Sequence, residues 1–299
     1  MRLIPIILLV FALSDCMADN KEEAHATDHM AAQKLWVETC DKWDDWDKSG
    51  PAFLIHGTTY YVGSCGISAI LITSSKGHIL IDGGTEKGAD IIRRNIASLG
   101  FDVSDVKILL HSHEHFDHVA GLAELQRLSG ARLYASAAAK PVLETGQTGL
   151  SDPQYGMHAP FPAAIVDDVI DNRDTVQLGA IKLTAITTPG HTEGALSWQW
   201  KSCEGKTCEW IVYADSLSPI SRDGYRFSDN VDYLKAYERS LEQLSQTDCT
   251  LLLTPHPSAS QMRNRLETGQ LSTPNTCVTY ADAIKNRLKK RLEKEAIED

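Results

Sequence analysis

The sequence predicts an α/β protein built as a four-layer αβ/βα sandwich, and three observations carry that expectation. Short apolar runs bounded by turn residues alternate with segments whose apolar residues recur at helical spacing, the pattern of sheets flanked by helices. The theme occurs twice, once in each half of the chain. Residues of metal-ligand type cluster at the ends of the strand-like runs, where α/β proteins place their chemistry.

In the first half, Phe53 to Ile55, Tyr60 to Val62, Ala69 to Thr73 and His78 to Asp82 read as strands, with Ser75, Lys76 and Gly77 as a turn. Gly83 and Gly84 end that group. Ala89, Ile92, Ile96 and Leu99 then recur at helical spacing up to Gly100. A strand from Val106 to Leu110 runs into a histidine cluster, and a helix is expected from Val119 to Leu128, stopped near Gly130. The second half offers strands at Leu183 to Thr187, Leu196 to Trp200, Trp210 to Tyr213 and Thr250 to Leu253. Helices at Tyr233 to Leu244 and Ala281 to Glu295 close it.

The N-terminus carries Arg2, an apolar run from Leu3 to Leu13 and a small and polar stretch from Ser14 to Ala18, which reads as a signal peptide over residues 1–18. Its apolar run is far shorter than the roughly 20 residues a membrane span needs, so no span is expected. Cys16 raises lipid anchoring as an alternative, although Asp15 stands where a small residue would be expected. Residues 19–299 then form one domain, since no linker-like or low-complexity stretch divides them. Of the seven cysteines, six remain without Cys16, an even number that suggests three disulfides in an exported chain. Proximity in sequence favours Cys40 with Cys65, Cys203 with Cys208 and Cys249 with Cys277. The formal net charge of −11 opposes a nucleic-acid partner, which would need a basic face. The basic run from Lys285 to Arg291 reads as the solvated face of a helix whose apolar positions are Ile284, Leu288 and Leu292.

Four of the eleven histidines fall between His111 and His118. In an extended segment alternate residues face one side, so His113 and His115 can reach one metal. Asp117 and His118 follow at a helix start, where they can address a second. The spacing H-x-H-x-D-H is met only from His113, which leaves His111 outside the ligand set. A lone histidine would be read as a satisfied core or surface residue. Here His191, Asp215 and His256 each follow a strand as well. The balanced set is His113, His115 and His191 for one zinc, and Asp117, His118 and His256 for the other, a nitrogen and carboxylate chemistry that suits zinc.

With HEHFDH from His113 to His118, the sequence resembles the metallo-β-lactamase superfamily over nearly its whole mature length. The stretches Gly57 to Gly63, Ser112 to Leu122, Thr188 to Thr192 and Ala214 to Leu217 resemble subclass B3 within it. The resemblance implies the metallo-β-lactamase fold, the two-zinc ligand set above, and Ser216 in place of a zinc-binding cysteine. It implies that Ser216 and Ser218 receive a substrate carboxylate, with Gln154 in the loop across the cleft. Asp215 is expected to play a supporting role, coordination being the alternative. Asp82 is expected to support a ligand histidine or its loop. Trp36, Trp43 and Trp46 are expected to pack, lining of the cleft being the alternative, and His158 is not expected to be a ligand.

The resemblance implies a periplasmic zinc-dependent β-lactamase that hydrolyses penicillins, cephalosporins and carbapenems through a metal-bound hydroxide and so confers antibiotic resistance. Asp117 would orient the nucleophile and accept its proton. A monomer acting on a small-molecule β-lactam is expected. An exported lactonase or thioesterase of the same fold, or a non-enzymatic zinc-binding protein, are the alternatives.

Overall fold

The computed structural model describes residues 29–297; the signal peptide expected over residues 1–18 lies outside them. Seven strands form the first sheet in sequence order: β1 (Phe53–His56), β2 (Thr59–Tyr61), β3 (Ile70–Ser74), β4 (Gly77–Ile81), β5 (Val106–Leu110), β6 (Arg132–Ala135) and β7 (Val166–Val169). The first four make an antiparallel meander, and β4 to β7 run parallel. The second sheet comprises β8 (Thr175–Leu178), β9 (Ile181–Thr187), β10 (Leu196–Glu204), β11 (Thr207–Tyr213) and β12 (Leu251–Leu253), in the order β12-β11-β10-β9-β8. It is antiparallel except where β11 pairs with β12.

The layering follows from strand alternation. Successive side chains of a strand point to opposite faces, so an unbroken apolar run means that both faces are buried. In β4, Ile79 and Ile81 face the second sheet while Leu80 faces helices. In β5, Ile108 and Leu110 divide from Leu109 in the same way. Across the sandwich, Leu251 and Leu253 of β12 meet the inter-sheet core with Trp198, Trp200 and Tyr213, and Leu252 faces outward.

The described residues also form eight α-helices, α1 (29–39), α2 (Gly88–Ser98), α3 (Phe116–Val119), α4 (Leu122–Ser129), α5 (Ala139–Thr145), α6 (Val231–Ser245), α7 (Met262–Glu267) and α8 (Thr276–Ile297), and two short 3-10 turns at Val103–Asp105 and Phe227–Asp229. Ile92 and Ile96 of α2, Leu122 and Leu125 of α4, and Val142 and Leu143 of α5 cover the outer face of the first sheet. Tyr237, Leu241 and Leu244 of α6, with Tyr280, Ile284 and Leu288 of α8, cover the second. No helix among the described residues is long and apolar enough to cross a membrane.

Two expectations need correction. The single helix expected from Val119 to Leu128 is two helices, α3 and α4, broken around Ala120 and Gly121. The break is a close approach: a Cβ on Gly121 would lie 2.2 Å from the carbonyl oxygen of Gly83. The basic run on α8 is not wholly a solvated face either, because Arg291 donates to Glu295, to Ser221 and to the Tyr225 carbonyl. The elements β6, α5, β7, β8, α1 and α7 are additional to those read from the sequence.

The three expected disulfides form, Cys40–Cys65, Cys203–Cys208 and Cys249–Cys277. The last closes a loop with a sequence separation of 28 and ties the start of β12 to the start of α8. Replacing both Cys249 and Cys277 with serine is expected to lower unfolding free energy by about 3.5 kcal/mol through loop entropy in the unfolded chain. Urea titration of oxidised wild type against the double variant checks it, an unchanged midpoint being the contrary result.

Candidate metal centre

The site is assembled at the ends of β4, β5, β9, β11 and β12, where the polypeptide leaves each strand. Asp82, just after β4, holds the region together. Its carboxylate accepts from the Ser112 amide at 2.6 Å, the Ser112 hydroxyl at 2.8 Å and the Tyr213 hydroxyl at 2.7 Å. His118 Nδ1 lies 3.9 Å from it. Asp82 adopts φ 66°, a left-handed conformation uncommon for a residue with a side chain, which aims the carboxylate inward beneath the histidine segment. Full burial raises the Asp82 pKa to about 6 against the opposing influence of His118 and the hydrogen bonds.

The histidine segment leaves β5 with His111. That residue points away from the cluster: its Nε2 accepts from the Ser136 amide, and burial lowers its pKa to about 4. His113, His115 and His191 converge instead, each offering one nitrogen within 4.8 Å of the others. Each has its far nitrogen held by the chain. His113 Nδ1 is 2.7 Å from Asp215, His115 Nε2 is 3.1 Å from Asp152, and His191 Nδ1 is 2.9 Å from the Ser218 carbonyl. The near nitrogens of His115 and His191 lie 3.2 Å apart.

A second group adjoins the first. Asp117 Oδ2 is 3.0 Å from His118 Nε2 and 3.4 Å from His256 Nε2, while His256 Nδ1 is directed at the Gly66 carbonyl at 3.3 Å. Burial pushes the Asp117 carboxyl up, but the neighbouring His118 and His256 imidazoles outweigh it and hold the group well below the usual carboxylate range. Burial pushes His113 and His191 well below the ordinary imidazole range and takes His256 to about 4. These histidines therefore favour the neutral form, the form that donates a lone pair to a metal.

The donor set fits metal ions. His113 Nε2 is buried without a hydrogen-bond partner among the described residues, and neither buried nitrogen of His118 makes a well-directed hydrogen bond although Asp117 stands 3.0 Å from its Nε2, an arrangement that is costly unless a metal takes one lone pair from each ring. Six imidazole and carboxylate groups in two adjacent clusters match the ligand chemistry of zinc.

Around the centre lies a cleft of about 410 Å³. Gln154, Ser216 and Ser218 line it, together with His115, Asp117, His191 and His256. Gln154 Nε2 is 3.4 Å from His191 Nε2, and the Ser218 hydroxyl is 3.2 Å from His191 Nδ1. The Ser216 hydroxyl is buried and unpartnered among the described residues. His158 also lines the cleft, its ring 4.6 Å from that of Phe116.

The tryptophan expectation holds for Trp36, which packs in the inter-sheet core, and is corrected for the other two. Trp43 is 75% exposed, Trp46 is 38% exposed, and both line the cleft. Trp46 stands 5.8 Å from the His256 ring. They follow α1 in a segment of bends and turns.

Several contributing residues escaped the sequence reading. Asp152 has no spacing relation to the histidine it holds, so nothing in the linear pattern marks it. Glu114 lies between His113 and His115, but its task is to bridge loops: it accepts from the Thr192 hydroxyl at 2.7 Å and the Gly194 amide at 2.9 Å. Burial raises its pKa to about 7. A strictly alternating segment would turn Glu114 away from the metal-facing side, which is the one signal that could have found it.

Comparison with known proteins agrees with this geometry. Residues 62–203 match the family model of the metallo-β-lactamase superfamily. The solved structure of the MIM-2 metallo-β-lactamase is 57% identical, with 88% of this chain and 98% of that chain covered and a TM-score of 0.86. MEM-A1, a subclass B3 metallo-β-lactamase isolated from a soil metagenome library, is 40% identical, with 85% and 100% covered and a TM-score of 0.81. The Thermus thermophilus ribonuclease TTHA0252 is 30% identical over 162 residues, which are 52% of this chain and 36% of that enzyme. The chain spans a third to a half of the length of the curated relatives it matches, at 36%, 32% and 49%. A metal-ligand cluster at the strand ends of an αβ/βα sandwich, together with near-complete alignment to these lactamase structures, places the chain in the metallo-β-lactamase superfamily, among relatives of subclass B3.

Proposed function

We propose that the protein is a zinc-dependent β-lactamase that hydrolyses the amide bond of penicillins, cephalosporins and carbapenems. One observation carries the reading: two adjacent clusters of buried imidazole and carboxylate donors open into a cleft that hydroxyl and amide groups also line. His113, His115 and His191 would hold one zinc ion, and Asp117, His118 and His256 the other. Two zinc ions supply Lewis acidity to the lactam carbonyl and its leaving nitrogen, and lower the pKa of a water towards about 7, so no side-chain nucleophile is needed.

The chain's own groups do the rest. Asp215, Asp152 and the Ser218 carbonyl fix three imidazoles in one tautomer, so their donor lone pairs face inward without reorganisation during reaction. The Asp117 carboxylate, ionised among its imidazole neighbours, is placed to orient the attacking water and take its proton. Ser216 and Ser218 present hydroxyls to the carboxylate beside the ring nitrogen of the drug, and Gln154 faces it from the loop bearing Asp152.

Export to the periplasm, with residues 19–299 working as one monomeric catalytic domain and conferring antibiotic resistance, belongs to the same proposal. The three disulfides support it, since such bonds persist in oxidising compartments. Turnover of a chromogenic cephalosporin, compared with a lactone and a thioester, tests the activity. Preference for either of the latter would favour a lactonase or thioesterase.

Three outcomes are expected. Metal analysis finds two zinc ions per chain, and Asp152→Asn weakens zinc affinity about 10- to 100-fold in chelator competition because His115 loses its outer partner; affinity equal to wild type would contradict that role. Asp117→Asn cuts kcat by orders of magnitude while mass spectrometry finds no acyl-enzyme at any time, and trapping one would overturn the mechanism. Ser216→Ala, Ser218→Ala and Gln154→Ala each raise KM, lowering kcat/KM by roughly tenfold to a hundredfold where a hydrogen bond to the charged group is lost. Wild-type kinetics in all three would remove these residues from the site.

A further inference from the structure

We propose that Arg287 is a specificity-determining residue that receives the substrate carboxylate in the cleft, together with the Ser216 hydroxyl. The inference deepens the β-lactamase reading and rests on it. Arg287 belongs to α8, far in sequence from every metal-ligand motif, yet its side chain lines the same cleft as Ser216, Ser218 and Gln154.

The docking of α8 fixes that placement. The Tyr280 hydroxyl donates to the carbonyls of Asp215 at 3.1 Å and Ser216 at 2.6 Å. Nearly three turns later, Arg291 donates to the Ser221 hydroxyl at 2.9 Å and the Tyr225 carbonyl at 2.6 Å. Residues 280, 284, 287 and 291 are spaced by four, three and four, so they share one helix stripe. Arg287 therefore lies between two anchors that grip the segment carrying Ser216 and Ser218.

Its charge is uncommitted. The residues three and four away along the helix are Ala283, Ile284, Lys290 and Arg291, none of them acidic. Its helix neighbours Lys289 and Arg291 pair with Glu293 and Glu295, whereas Arg287 makes no ion pair among the described residues. In a chain of net charge −11, an exposed guanidinium without an acid, lining the same cleft as a buried hydroxyl without a partner, forms a receptor for a carboxylate. Its planar fork suits that group. Of the two acids in the lining, Asp117 stands among the His118 and His256 imidazoles and Asp44 is held by Lys48 at 2.8 Å. Lys42 is the other cation of the lining, and it neighbours Pro257 and Ser258 in a second hollow.

The test uses the zinc-saturated enzyme with benzylpenicillin and its methyl ester as competitors of chromogenic cephalosporin turnover. Arg287→Met is expected to raise the inhibition constant of benzylpenicillin about tenfold or more, leaving that of the ester within about twofold of wild type. Arg287→Lys should recover part of the loss, kcat should change less than KM, and the zinc content should equal that of wild type. Equal inhibition constants in Arg287→Met and wild type would overturn the proposal, as would equal losses for acid and ester. An acid-selective loss in Lys42→Gln but not in Arg287→Met would transfer the role to Lys42. A wild-type enzyme inert towards the cephalosporin would instead overturn the β-lactamase reading, an outcome separate from all of these.

Discussion

The centre depends on imidazoles that cannot turn. His113, His115, His191 and His256 each have one nitrogen directed at a fixed acceptor, respectively Asp215, Asp152, the Ser218 carbonyl and the Gly66 carbonyl. The opposite nitrogen must then face the cleft. Such outer partners set the tautomer and ring direction of a metal ligand, so they decide whether the donor set exists before any metal arrives. Burying several imidazoles and a carboxylate together is costly in itself, and these hydrogen bonds offset part of that cost. Asp215 stands two residues beyond the end of β11, and the Ser218 carbonyl follows three residues later.

The sandwich explains how such partners come within reach. Each sheet brings several chain segments to one edge, so short loops after β5, β9, β11 and β12 deliver residues far apart in sequence to a single place. Asp82 makes those edges one unit: it binds Ser112 after β5 and Tyr213 of β11, one from each sheet. Glu114 repeats the device between the His113 segment and the loop following His191. The chemistry is therefore carried by loops, but its precision comes from the strands beneath them.

This division also determines what the sequence could disclose. The central strands are continuous apolar runs, and the histidine spacing is tied to the two-residue period of an extended chain, so both are legible in one dimension. The edge elements are not. The strand β7 consists of Val166, Asp167, Asp168 and Val169, and those acids satisfy the Leu133 amide, Gln126 and Arg132 at the sheet margin, an environment that leaves no apolar signature. Asp152 and Arg287 were invisible for a related reason: each acts on residues dozens of positions away, and only packing creates the relation. Trp43 and Trp46 misled because large aromatics usually mean core, whereas here their segment crosses the mouth of the cleft.

The disulfides connect the redox compartment to this architecture. Cys65 is followed by Gly66, whose carbonyl orients His256, and its bond to Cys40 anchors the segment that carries Trp43 and Trp46. Gly66 must be glycine, since a Cβ there would lie 2.6 Å from the Asp44 carbonyl oxygen in that same segment. Cys249–Cys277 joins the entry to β12, which leads to His256, to the first turn of α8, which carries Tyr280 and Arg287. Two of the three bonds thus brace walls of the cleft, while Cys203–Cys208 fastens the β10–β11 hairpin. Reduction would free the tryptophan segment and α8 from covalent restraint, and it would act within the inter-sheet core as well, where Cys40 and Cys65 are buried.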